Sequence, residues 1–132
     1  MSASPSVDRR SELGRARGLG SAKKGVAHWW AQRVTALLLV PLLLWFVAAL
    51  LAHTGADRQA VVAWLGHPVV YGVMVVMLGA VFWHASLGLQ VVIEDYVHRE
   101  SVKLGAILLV KGACLALFMA GFVSLSKIAL AG

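Results

Sequence analysis

The sequence has 132 residues, of which 60% are hydrophobic and only 14% charged, with a mean hydropathy of +0.80. A soluble domain of this length rarely carries so apolar a composition, so lipid is the expected solvent. The formal charge of +6 would suit nucleic acid, but seven of the twelve basic residues (Arg9, Arg10, Arg15, Arg17, Lys23, Lys24 and Arg33) precede or open the first apolar run. That clustering fits the positive-inside pattern of membrane proteins, and no nucleic-acid partner is expected.

Residues 1–27 are rich in Ser, Gly, Ala and Arg and lack apolar periodicity, so they read as a basic cytoplasmic tail ahead of a membrane domain over 28–132. The pair Arg9 and Arg10 stands too far from the first apolar run for a twin-arginine signal. That run is also longer than the apolar region of a cleaved leader. Residues 34–52 carry no charge, 69–93 contain His84 as their one ionisable side chain in the apolar run, and 104–128 are interrupted by Lys111 and reach Lys127. Each run is long enough to cross a hydrocarbon core of roughly 30 Å at about 1.5 Å per residue. The expected fold is an all-α membrane protein with three transmembrane helices at about 30–52, 68–94 and 103–128. Little sequence is left for a soluble catalytic domain, so chemistry must lie within the membrane or be shared with partners.

Orientation follows from the loops. The tail and the loop 94–103, with Arg99 and Lys103, are assigned to the cytoplasm, and the loop 53–68 and the C-terminus to the periplasm. Trp29, Trp30, Trp64 and Tyr71 fall where interfacial aromatic belts form. Cys114 has no second cysteine to pair with and reads as a small packing residue.

An ionisable group deep in a membrane helix is costly and faces protein, water or a cofactor. His84 lies roughly 14 Å from the end of its run at Ile93, near the middle of the bilayer. It is either a histidine hydrogen-bonded to a neighbouring helix or an axial ligand to haem, for which neutral imidazole is suited. At about 100° per residue, His84, Gly88 and Asp95 share one helical stripe. Gly88 leaves room beside the His84 ring for a porphyrin or for a close helix. Asp95 and Tyr96 stand at the cytoplasmic end, where an acid and a phenol could serve a quinone or be ordinary interfacial groups. Arg33 opens the first span on the same side, suited either to a haem propionate or to lipid phosphate.

The segment 84–98, HASLGLQVVIEDYVH, resembles the second-helix signature of the D-type hydrophobic membrane anchor subunits of succinate dehydrogenase, respiratory complex II. The segment 28–36, HWWAQRVTA, is similar to the opening of the first helix in the same family, and the resemblance extends over residues 28 to 126 with the same three-helix count. It implies that His84 is the axial ligand to the iron of haem b, with the second ligand from a C-type cytochrome b anchor subunit. It also implies that Tyr96 hydrogen-bonds a ubiquinone oxygen, that Asp95 is the neighbouring acid, that Arg33 lies near the haem propionates and that Gly88 packs by the haem. Succinate would be oxidised on a flavoprotein subunit and electrons delivered through an iron–sulfur subunit, so this chain would act in the bacterial inner membrane with no activity alone. The alternatives are a fumarate reductase anchor, or a non-redox transport or assembly subunit using His84 for protons.

Overall fold

The computed structural model describes residues 21–131, and it is helical nearly throughout, with no strand among the described residues. Four helices follow one another: α1 (Ser21–Ala52), α2 (Arg58–Gly66), α3 (Pro68–Tyr96) and α4 (Glu100–Leu130). Three of them are long and apolar enough to cross a membrane, namely α1 from Gly25, α3 and α4. At about 1.5 Å per residue each exceeds 40 Å, so their ends project beyond the hydrocarbon core. The helix of the first span already begins at Ser21, and the rest of the basic tail, residues 1–20, lies outside the described residues. Pro41 sits inside α1, where its missing N–H is tolerated because it lies on the exposed side of a membrane helix.

The segment 53–68, expected as a loop, is mostly a short helix. Gly55 turns the chain with φ +82°, a conformation that glycine adopts without a Cβ penalty. Asp57 then caps α2, its Oδ1 accepting the backbone N–H of Ala60 at 2.8 Å. Trp64 of α2 packs its ring on His53, with centroids 4.4 Å apart, and tilts against Trp45 at 6.2 Å, which fastens this end of α1 to α2. His67 separates α2 from α3, and Pro68 opens α3 at a position where no intrahelical N–H is needed. At the other end only 97–99 link α3 to α4.

Helix α3 is central. It packs along α1 on one side and α4 on the other, while α2 rests on the end of α4 and the start of α3. The few buried apolar residues, Met74, Met77 and Ala80 on α3 and Leu39 on α1, mark that central position. Close approach of α4 to α3 depends on Gly121, where a Cβ would come within 2.9 Å of Leu78 Cδ2, and on Gly79, whose Cβ would meet Phe118 at 3.6 Å. A polar tie crosses the same seam: Tyr71 hydroxyl and Ser126 Oγ lie 2.8 Å apart. Ser126 also donates to the Phe122 carbonyl at 2.7 Å, so the phenol is the donor to Ser126. The outward faces are apolar. Leu37, Leu44 and Leu51, one heptad apart on α1, are each about 70% exposed, a surface that only lipid or another membrane subunit can cover.

Candidate functional site

His84 and Gly88 lie on the side of α3 that meets α1. The residues opposite them come from a polar stripe on α1: His28, Gln32 and Thr35, at spacings of four and three, share one face of the helix. Thr35 Oγ1 lies 2.9 Å from His84 Nδ1. Gln32 stands opposite Gly88, and a Cβ added to Gly88 would lie 3.5 Å from Gln32 Nε2, an ordinary van der Waals distance. The α1–α3 seam is therefore close at His84 and Gly88, but not so close that the glycine is forced by α1.

The polar stripe is incompletely satisfied within the described residues. Gln32 Oε1 and His28 Nε2 are buried without a hydrogen-bond partner, an arrangement that costs free energy in a low-dielectric setting until water or another group supplies one. His84 differs from them. Its Nδ1 is engaged by Thr35, and the ring is half-buried, so its other nitrogen, Nε2, is left available to a further group. A half-buried imidazole held through one nitrogen with the other left available fits an axial ligand to a haem iron. The remaining described histidines, His28, His53, His67 and His98, lie near helix ends or in connections, away from the depth of His84.

The family of succinate dehydrogenase/fumarate reductase transmembrane subunits matches residues 7–123 of the sequence. The chain belongs to this family. It is 36% identical over 104 residues to the succinate dehydrogenase hydrophobic membrane anchor subunit of Rickettsia bellii, covering 79% of this chain and 83% of that one. The corresponding subunit of Rickettsia conorii is 31% identical over 119 residues, 89% of this chain and 94% of its own. The succinate dehydrogenase membrane anchor subunit of Reclinomonas americana is 32% identical over 92 residues, 67% and 77% of the two chains. With three candidate spans, this member of the family is a multi-pass membrane protein.

The other candidate residues of this anchor do not gather around His84. Asp95 and Tyr96 end α3, eleven and twelve residues further on, and both are exposed, Tyr96 to 79%. At about 1.5 Å per residue they stand roughly 16 to 18 Å along the axis from His84. Next to them, Gln90 Nε2 donates to Glu94 Oε1 at 2.7 Å, one turn apart on the exposed side of the helix end. Arg33 is exposed, its guanidinium 5.0 Å from the centre of the Trp29 ring, and it lies about 200° around α1 from Thr35. This chain alone thus places the arginine on a different face of α1 from the one that holds His84.

Two features were not singled out from the sequence. Thr35 and Gln32 emerge as the α1 partners of His84 and Gly88, although the spacing of three polar residues through 28–35 was the signal that could have found them. On the opposite side of α3, an apolar groove of about 490 Å³ runs along the α3–α4 seam, lined by Gly79, Phe82, Trp83, Cys114 and Phe118 with Lys111 at its edge. His84 does not line it.

Proposed function

We propose that this anchor is the D-type subunit of a succinate:ubiquinone oxidoreductase in a bacterial inner membrane, giving one axial ligand to a shared haem b and part of a ubiquinone site. The observation that carries the proposal is the state of His84: one ring nitrogen held by Thr35 and the other left available on a half-buried ring of a central membrane helix. A haem held there would supply one-electron relay chemistry. The residues of this chain do the rest. His84 Nε2 would hold the iron, and Gly88, one turn away, would keep the wall beside the ring low. The second ligand would be a residue of another chain, the C-type cytochrome b anchor subunit, which would seat on the apolar surface that the described helices leave exposed.

At the cytoplasmic end of α3, Tyr96 donates its phenolic proton as a hydrogen bond to one carbonyl oxygen of ubiquinone, where negative charge develops on reduction. Asp95, next to it, can pass protons from the aqueous side to the reduced ring. Their exposure in the chain by itself suits a site completed by partner subunits. Arg33, on Trp29 and on a different face of α1 from the His84 seam, would meet an anionic group such as a haem propionate only where that group reaches around α1. Succinate oxidation belongs to a flavoprotein subunit and electron delivery to an iron–sulfur subunit, and the relatives' name as succinate dehydrogenase anchors favours that direction over fumarate reduction.

The test is His84→Ala in the complete complex. The low-spin b-type absorption and resonance signals are expected to change to those of a five-coordinate haem, or the haem to be lost. Retention of the native spectrum would refute the ligand assignment.

A further inference from the structure

The Thr35 hydroxyl is surrounded by more acceptors than it has protons. It lies 2.7 Å from the Ala31 carbonyl, 3.1 Å from the Gln32 carbonyl and 2.9 Å from His84 Nδ1. A hydroxyl carries one donor and two acceptor lone pairs, and carbonyl oxygens can only accept. If the proton pointed at Nδ1, two carbonyl oxygens would face the hydroxyl oxygen at these distances with nothing between them. If it goes to Ala31, the shortest contact, and is shared with the Gln32 carbonyl, the remaining contact is a hydrogen bond only when Nδ1 itself carries a proton and donates it to Thr35. Back-bonding of a threonine to the carbonyl four residues earlier is a common way for a helix to absorb a hydroxyl in lipid.

We propose that Thr35 is a positioning residue for His84: its hydroxyl, committed to the Ala31 carbonyl, accepts the Nδ1 proton and thereby leaves Nε2 as the unprotonated nitrogen. This rests on the reading of His84 as a haem ligand and deepens it. A neutral imidazole has one protonated and one free nitrogen, and the hydrogen bond made by one decides which is free to bind metal. The bond also fixes the rotation of the ring, because α1 and α3 are packed against each other where it forms. Accepting the Nδ1 proton makes the imidazole a stronger electron donor through Nε2, which favours ferric over ferrous iron.

The experiment compares Thr35→Val, which keeps the branched shape and removes the acceptor, with Thr35→Ser, which keeps the hydroxyl, in the assembled complex, with His84→Ala beside them. The readouts are haem content, the line shape of the low-spin resonance signal and the reduction potential. Thr35→Val is expected to weaken haem retention about tenfold, the lower end of what loss of such an outer partner costs. It should also raise the potential, by about 59 mV if ferric preference falls tenfold for one electron. Thr35→Ser should restore both. Native potential, line shape and haem content in Thr35→Val, with His84→Ala losing its native spectrum, overturn the role of Thr35 alone. An unaltered His84→Ala spectrum overturns the haem reading and this inference with it. Should Thr35→Val not assemble, the wild-type complex decides: the inference stands if its density shows Nε2 on the iron and Nδ1 within hydrogen-bond distance of Thr35 Oγ1, and fails if iron is bound through Nδ1.

Discussion

Gly88 is the position at which two readings of the same residue make opposite forecasts. If it serves only the packing of α1 on α3, its replacement by alanine is innocuous, because the added Cβ would sit 3.5 Å from Gln32 Nε2, a normal contact with a flexible side-chain end. Alanine also recovers helix propensity, so the variant should be unchanged or more stable by up to about 1 kcal/mol. If Gly88 instead keeps the wall low beside a haem on His84, the same methyl group stands against the macrocycle, one turn from the iron ligand, and has no flexible neighbour to displace. The proposed haem role therefore predicts an unusual pair of results for Gly88→Ala: undiminished thermal stability of the complex, measured by loss of helical signal in detergent, together with an altered low-spin signal or potential. Gly88→Leu should enlarge the second effect to haem loss. Unperturbed haem in both variants would refute the haem role and return Gly88 to helix packing.

Three further outcomes follow from the same geometry. Tyr96→Phe keeps the interfacial ring and removes the phenolic donor, so quinone reduction should fall roughly ten- to a hundredfold, the equivalent of about 1.5 to 3 kcal/mol, while succinate oxidation with a dye acting upstream of the membrane stays nearly normal. Equal rates in both assays would return Tyr96 to the aromatic belt. On the α3–α4 seam, Gly79→Ala should be tolerated, whereas Gly121→Ala brings a Cβ to 2.9 Å from Leu78 Cδ2, which must shift, and should be less stable than Gly79→Ala by about 1 kcal/mol in thermal or denaturant unfolding. Equal stabilities would mean that the helices part freely there. For topology, single cysteines at Arg58 and at Arg99, in a Cys114→Ser background, should react with an impermeant thiol reagent from the periplasmic side only at position 58; labelling at 99 alone would invert the proposed orientation.

The three spans were legible because lipid as solvent demands long apolar runs, and His84 stood out because an ionisable group within such a run is costly. Helical periodicity also joined His84 to Gly88 on one stripe, and both do face α1. What one helix cannot announce is its register against another. Thr35 was part of the first-helix motif, yet nothing in that motif states that it meets His84 forty-nine residues later. Helix α2 was hidden for a different reason: its nine residues are too short and too mixed in character to signal a helix, and the N-cap of Asp57 and the packing of Trp64 on His53 and Trp45 hold it in place. Arg33 shows the limit of level without direction. Its height beside the membrane surface was readable, but its face is set by α1, which turns it to Trp29 and away from the His84 seam.

The placement of His84 on the central helix bears on how its geometry is kept. An axial ligand must be held to within a few tenths of an ångström and some tens of degrees, which favours a rigid element packed on several sides. Helix α3 meets that demand: α1 reaches it through Thr35, and α4 ties it through the Tyr71–Ser126 bond and the close approach at Gly121. The terminal residues Asp95 and Tyr96 lie beyond these constraints, exposed at the last turn. A fixed ligand and a less confined pair at the interface are what the two proposed tasks ask for, since an electron-relay ligand should not move between oxidation states, whereas a quinone must enter, exchange protons and leave.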